Sequence, residues 1–472
     1  MRGRAANRED APAAETIAAI ATPLGRSGVG VVRVSGADVP RVIAGIVHRH
    51  LVPRTATLAT FRGAGGEVLD QGLAIYFPAT RSYTGEDVLE LHGHGGPAVL
   101  GLLLARCVEL GARFARPGEF TQRAFLNGKL DLAQAEGVAD LIDAATTTAA
   151  RAAARSLTGA FSREIHALAD ALIEIRMFTE AALDFPEEDV AFLHAAQVRE
   201  KVMAIRAQVA GILAQASQGA LLRDGLAVAI VGRPNVGKSS LMNQLAGDAV
   251  AIVTPIAGTT RDALRSQIEI HGIPLTIIDT AGLRPTNDPI ELLGIERTWT
   301  AVERADLALV LVDAASGGGI ADADAAILAE MPGTLLRLVV HNKIDLAGLA
   351  PTVKTLAMPT RNSEPERMER HVFLSAKTGA GIDLLQQEVL RIAGAQEDME
   401  GVFLARERHL VALRAAAERL DAALRHFVGA EPPLELLAED LRAAHTALTA
   451  ITGEFSSDDL LGIIFSRFCI GK

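Results

Sequence analysis

Short apolar runs punctuated by glycine open the chain: TIAAIAT, VGVVRVSG, TLATFRGAGGEVLDQGLAIYF and DVLELHGHGG, then the apolar stretch PAVLGLLLARCVELGAR. Alternation of apolar and polar positions predicts strands for the first four, and the last predicts a helix, so residues 15 to about 125 read as α+β. From Leu130 to about Gly219 the pattern changes to Ala, Leu, Glu, Gln and Arg with few glycines or prolines, which predicts long amphipathic helices. Strand-like runs return at LAVAIVG, PLTIID, LALVLVD, LLRLVVHN and VFLS, alternating with helical stretches, as in a mainly parallel sheet wrapped by helices. Helical sequence resumes from about Val402 to Ile464. The pattern therefore predicts a multidomain chain: an α+β N-terminal domain (1–129), an all-α helical bundle (130–224 with 396–472), and an α/β P-loop domain (225–395) inserted into it. The Pro-, Thr- and charge-rich stretch from Ala347 to Glu369 is expected to be a surface loop.

Composition narrows the function classes. With 46 Lys plus Arg against 57 Asp plus Glu, the formal charge of the 472 residues is −11, which excludes a surface that grips nucleic acid everywhere. Aromatics at 4% leave few rings for single strands to stack on. Cys107 and Cys469 cannot build a disulfide framework, and a reducing cytosol is the expected home. No apolar run approaches the 18 or so residues of a membrane span. The opening MRGRAANRED carries Glu9 and Asp10, acids that transit peptides avoid, so a tail before the first strand is expected.

The strongest local signal is GRPNVGKSS at 232–240, a phosphate-binding loop following a strand and preceding a helix. Gly232 and Gly237 let backbone amides curl around phosphate oxygens. Lys238 supplies a point charge, and Ser239 offers a hydroxyl to magnesium, with Val236 and Ser240 completing the loop. Asn235 either shapes this loop or presents a carbonyl oxygen to a hard monovalent cation. Downstream come GTTRD (258–262), DTAG (279–282), NKID (342–345) and SAK (375–377). Asp345 of NKID presents two acceptor oxygens to the paired N–H donors of guanine, which selects GTP over ATP. Leu283 follows DTAG where Ras-like proteins carry the glutamine that orients the attacking water. His92 and His94 have the spacing of a strand chelate, but without a nearby cysteine and with a Gly-rich turn following, no metal site is expected there.

The order of these motifs resembles the translation-factor-like GTPases. That resemblance implies that Thr260 completes the magnesium shell, that Asp279 holds a magnesium-bound water, and that the Gly282 amide faces the γ-phosphate. Over nearly the whole chain the sequence resembles the MnmE (TrmE) family of tRNA-modifying GTPases. The likeness is carried by ATPLGRSGVGVVRVSG, SYTGEDVLELHGHGGP, RPGEFTQRAFLNGKLDLAQAE and the terminal FCIGK as well as by the GTPase motifs. The resemblance implies GTP contacts along Asn235 to Ser240, along Thr254, Pro255, Ile256, Ala257, Gly258, Thr259 and Thr260, and along Asp279, Thr280, Ala281 and Gly282. It adds Asn342, Lys343 and Asp345, and Ser375, Ala376 and Lys377. Potassium would sit on Asn235, Thr254, Ile256 and Thr259 in place of an arginine finger, and Glu291 would orient the catalytic water, with Lys238 and Gly282 completing the catalytic set.

The same resemblance makes the N-terminal domain a folate-binding-like, dimer-forming domain. A tetrahydrofolate derivative, in its 5-formyl or 5,10-methylene form, would be held by Arg33, Glu90, Lys129 and Lys472. Cys469 would lie near the one-carbon site, where a structural and a mechanistic role both fit. The implied assembly is a homodimer through the N-terminal domain, with G domains associating transiently. The implied partner is a flavoprotein resembling MnmG (GidA), which carries the FAD, and the substrate is tRNA modified at position 5 of its wobble uridine. The rival expectation is a ribosome-assembly GTPase that binds RNA as a switch. Against it stands the lack of any appended basic module.

Overall fold

The computed structural model describes residues 15–23, 25–184, 190–248, 265–279, 302–316, 322–358, 367–396, 401–428, 432–454, 464–466, 468–469 and 471. By contact the chain divides into two units, one of residues 1–139, 156–205 and 415–472, the other of residues 140–155 and 206–414.

In the first unit the strands β1 (Ile17–Ile20), β2 (Ser27–Ser35), β3 (Thr57–Arg62), β4 (Val68–Phe77), β5 (Val88–Gly95) and β6 (Arg113–Phe114) form a sheet in the order β3-β4-β5-β2-β1-β6. Its pairings are antiparallel except β1 with β6. Side chains alternate between faces along each strand. Val32, Val34, Leu89 and Leu91 therefore enter one core, while Arg33 and Glu90, directly opposite in register, share the other face. Helices α1 (Val39–Ile46) and α2 (Pro97–Glu109) close the core, and both carry a proline in the first turn, Pro40 and Pro97, where a missing N–H is harmless. Cys107 of α2 is fully buried, and burial pushes its thiol up to about 12, so it serves as a small core group.

The expected helices follow: α3 (Glu119–Leu126), α4 (Leu132–Asp143), α5 (Thr147–Leu157), α6 (Ala160–Asp184) and α7 (Val190–Asp224). At 35 residues, α7 runs about 52 Å. Its buried positions Val198, Val202, Ile205, Val209, Ile212 and Ala216 alternate steps of four and three, the seam of a heptad pattern. Near the end of the chain, Phe465 and Phe468 pack with Leu132 and Ala135, and the Gly118 N–H donates to the Cys469 carbonyl at 3.3 Å. The terminus thus returns to the N-terminal domain.

The second unit holds strands β7 (Leu226–Gly232), β8 (Arg265–Ile270), β9 (Ile273–Asp279), β10 (Leu307–Asp313), β11 (Leu336–Asn342), β12 (Thr352–Met358) and β13 (Arg367–Phe373). Their order is β12-β13-β11-β10-β7-β9-β8, with the inner five parallel and the edges β8 and β12 antiparallel. Val228 and Ile230 enter one core, Ala229 and Val231 the other. Strands buried on both faces read as continuous apolar runs, which is why they are visible in sequence. Helices α8 (Lys238–Asp248), α9 (Asp322–Glu330), α10 (Ile344–Ala347) and α11 (Ile382–Ile392) lie between and after them.

The surface loop expected from Ala347 to Glu369 is corrected in part. Residues 352–358 form the edge strand β12, paired with β13 from Thr352↔Phe373 to Met358↔Arg367. Its backbone bonds and the packing of Val353 against the sheet core outweigh the flanking prolines and charges. The antiparallel edge β8, absent from the sequence reading, joins β9 through His271 and Gly272 at φ 49° and 86°, a two-residue turn whose twist suits a hairpin.

Candidate functional site

Because the inner strands are parallel, Gly232, Asp279, Asp313, Asn342 and Phe373 end them at one edge of the sheet, where α/β folds bind ligands. The run GRPNVGKSS bridges β7 and α8, so the first-turn amides of α8 open on this edge with their partial positive charge. Asn235 adopts φ 64°, uncommon outside glycine, and Gly237 adopts φ 101°. A Cβ on Gly237 would collide with the Asn342 amide nitrogen, so only glycine fits. Lys238 folds its ammonium onto the Gly232 and Arg233 carbonyls at 2.8 and 3.0 Å. Ser239 and Ser240 are exposed in the first turn of α8.

Asn342 joins three motifs. Its amide nitrogen donates to the Val236 carbonyl at 2.8 Å, while its oxygen accepts from the N–H groups of Lys343 (2.8 Å) and Ala376 (2.9 Å). At 2% exposure this side chain is a structural bolt linking the phosphate loop, NKID and SAK. Lys343 takes φ 68° and pairs its ammonium with Asp313 at 2.7 Å. Burial raises the Asp313 carboxyl, but Lys343 and the Ala315 N–H outweigh that and hold it below its usual range. Ser375 is buried and closes the SAK turn, its carbonyl accepting from Gly379 N–H at 3.0 Å, while Asp345 and Lys377 are exposed. Two pairings went unread in sequence: Lys343 with Asp313, and Arg233 with buried Asp324 at 2.8 Å. The position of Asp313, closing an apolar strand at the ligand edge, is the signal that could have found the first.

The second cluster lies on the N-terminal sheet. Arg33 meets Glu90 at 2.9 Å, donates to the Gly471 carbonyl at 3.2 Å, and places its guanidinium 5.7 Å from the ring centres of Tyr83 and Phe120. Glu90 also bonds His92 at 3.2 Å, whereas His94 pairs with Asp70 at 2.7 Å, so the two histidines have separate partners. The structure thus brings Arg33 and Glu90 together beside the residue preceding Lys472. Lys129 follows α3, its side chain near Gly85. An acceptor carboxylate, a fixed guanidinium and an aromatic wall suit a flat heterocycle with donor and acceptor edges. Tyr83 and Phe120 lie in SYTGEDVLELHGHGGP and RPGEFTQRAFLNGKLDLAQAE, two of the segments that carry the family likeness, but neither residue is singled out by the sequence as part of this cluster.

The same domain also carries an ion network. Glu119 accepts from Arg113 (2.6 and 2.9 Å) and Arg123 (3.0 Å), and Arg123 reaches Glu86 (2.8 Å), which bonds Ser35 (2.8 Å). Burial alone would raise the Glu119 carboxyl, but Arg113, the Arg116 N–H and Arg123 overcome it and hold the group at about 2.

Thr254, Pro255, Ile256, Ala257, Gly258, Thr259 and Thr260, with Thr280, Ala281, Gly282, Glu291 and Lys472, lie outside the described residues. Asp279 is described only as the final residue of β9, in register with Ile230. Among the described residues no helix is long and apolar enough to cross a membrane.

Comparison with known proteins accounts for nearly the whole chain. Residues 16–129 match the GTP-binding protein TrmE N-terminus, and residues 132–469 match the MnmE helical domain. The tRNA modification GTPase MnmE of Dechloromonas aromatica is 57% identical over 97% of this chain and 99% of its own length. The proteins of that name from Azoarcus sp. and Laribacter hongkongensis are each 58% identical over 97% of this chain and over 98% and 99% of their own lengths. The chain belongs to the MnmE family of tRNA modification GTPases.

Proposed function

We propose that this chain is the GTP-hydrolysing component of a tRNA-modifying system that installs a carboxymethylaminomethyl-type group at position 5 of the wobble uridine. The observation that carries the reading is the union, in one chain of MnmE sequence, of a guanine-type nucleotide edge bolted by Asn342 and a separate Arg33–Glu90 cluster suited to a heterocyclic cofactor. Nucleotide entry would draw Lys238 from the loop carbonyls to the phosphates. Ser239 and Thr260 would ligate magnesium, Asp279 would hold one of its waters, and Asp345 would read guanine. Potassium on Asn235, Thr254, Ile256 and Thr259 would supply positive charge where other GTPases insert an arginine. Such a finger is worth about 10³ to 10⁵ in rate, which sets what the ion must replace. Glu291 would orient water, a role left open by Leu283.

In the N-terminal domain, Glu90 and Arg33 would grip the folate ring edge and Lys129 and Lys472 its carboxylates. The folate, when bound, supplies the one-carbon unit. The proposed organisation keeps the boundaries 1–129, 130–224, 225–395 and 396–472, a homodimer through the N-terminal domain, transient G-domain pairing, a flavin-bearing MnmG-like partner and a cytoplasmic site of action. An acidic, aromatic-poor chain fits this division of labour if the partner supplies most of the tRNA-binding surface. The test is mass spectrometry of nucleosides from bulk tRNA in cells depleted of the protein and then complemented. Loss and return of aminomethyl-type wobble uridines supports the reading, and an unchanged nucleoside profile rejects it.

A further inference from the structure

Segment 140–155 precedes the G domain by some seventy residues in sequence but belongs by contact to the same unit. Within it Thr146 is buried, at 4% exposure, like Ala149, Ala152 and Ala153. The Thr146 hydroxyl accepts the Ala149 N–H at 3.0 Å, capping α5, and spends its own proton on the Gly272 carbonyl at 2.9 Å. Gly272 is the second turn residue between β8 and β9. A Cβ there would lie 2.5 Å from the Thr148 hydroxyl, and φ 86° already disfavours any other residue. The next residue, Ile273, is buried against Ala152 and Ala153 of α5, Leu222 at the end of α7, and Val402 and Leu404. Around this cluster Asp140 binds both Arg223 (3.0 Å) and Arg406 (2.7 Å), tying α4 to the chain entering and leaving the G domain.

The hairpin so held has a particular place in the sequence. β8 follows the segment 249–264, which contains GTTRD, and β9 runs into the segment 280–301, which contains Thr280 to Gly282 and Glu291. One turn, gripped at its tip, therefore joins the two strands that lead to the segments to which the proposed function assigns Thr260, Gly282 and Glu291. We propose that Thr146 is a positioning residue for GTP hydrolysis: by anchoring the Gly272 turn it sets the β8–β9 hairpin against a fixed helical base and makes segment 146–153 respond to the nucleotide. The proposal rests on the GTPase reading above and names a route by which nucleotide state leaves the site.

The experiment uses the full-length protein with magnesium and potassium. Thr146→Val keeps the branched shape but removes both the donor to Gly272 and the acceptor that caps α5, and should lower kcat for GTP hydrolysis about tenfold with KM unchanged. Thr146→Ser, which retains the hydroxyl, should restore it. Independently of any variant, hydrogen exchange of the Ala149–Ala153 amides in the wild-type protein should differ about fivefold or more between GDP and GDP with fluoroaluminate. Normal kcat in Thr146→Val, or identical wild-type exchange in the two nucleotide states, overturns the proposal while leaving the GTPase reading intact. Wild-type protein that fails to hydrolyse GTP overturns both.

Discussion

The nucleotide edge and the N-terminal cluster are built by opposite means. The nucleotide edge is shaped mostly through the main chain: a glycine-shaped loop, a helix start, and one buried amide, Asn342, that holds three loops by backbone bonds. The cluster on the N-terminal sheet is made by side chains. Arg33 and Glu90 face each other across β2 and β5, and in the same domain residues 86, 113, 119 and 123 are joined to one another by charged hydrogen bonds. Main-chain sites require particular residues at fixed spacing, because only some residues permit the backbone path. Side-chain sites require only that charges meet after folding, so their members can lie anywhere in sequence.

The largest expected effect tests the nucleotide edge. Asp345→Asn replaces an acceptor carboxylate with an amide and should shift preference from GTP toward xanthosine triphosphate by about 10⁴, measured by competition on the full chain. Unchanged preference would mean that the exposed Asp345 does not read the base. Next, Lys238→Ala removes the charge now parked on the Gly232 and Arg233 carbonyls, and should lower kcat about 10² to 10³ at saturating GTP. Neither substitution should alter folate binding, since the two sites use disjoint residues.

The converse substitution, Glu90→Gln, deletes the charge that balances Arg33 and one acceptor pair for a ligand. Binding of 5-formyl-tetrahydrofolate, followed by calorimetry, should weaken about 10- to 100-fold while GTP turnover stays unchanged. A parallel fall in GTP turnover would show that the two sites are not separable in this way.

The contrast also explains what could be read from sequence. The five inner strands of the G domain were legible because both their faces are buried, and the phosphate loop because its glycines and lysine have few alternatives. β12 was misread because an edge strand needs only one partner, and its alternation hid among prolines and charges. β8 escaped because its pattern RSQIEI is short and polar, although the His271-Gly272 turn was a usable signal. In the N-terminal domain the α+β pattern was legible, but Arg33 and Glu90 entered only through family likeness. Nothing local marks Tyr83 or Phe120 as neighbours of Arg33. Thr146 is harder still: a threonine before an alanine-rich helix predicts a cap, and nothing in its neighbourhood names a glycine carbonyl more than a hundred residues away.

The smallest expected effect leaves activity at neutral pH untouched and separates the two regions by acid. In the G domain His341 donates to or accepts from His371 at 2.8 Å and stacks on Phe373; burial first, then the charges of His371 and Lys354, lowers its pKa to about 4. The unfolded chain takes up this proton near its ordinary 6.5 and the folded one does not, so the contribution is complete above pH 6.5 and is lost as pH falls toward 4. Glu119, held at about 2 against an ordinary 4.5, keeps its contribution down to pH 4.5 and loses it only as pH falls toward 2. Hydrogen exchange at pH 5 should therefore show β10 and β11 loosened relative to pH 7 while β1 and β2 keep their protection. His341→Phe should weaken the G-domain response between pH 7 and 5, because a ring that cannot take a proton has no linkage to lose, while His371, also lowered by burial, keeps its share. Equal loosening of both sheets at pH 5 would place the acid sensitivity outside these two groups.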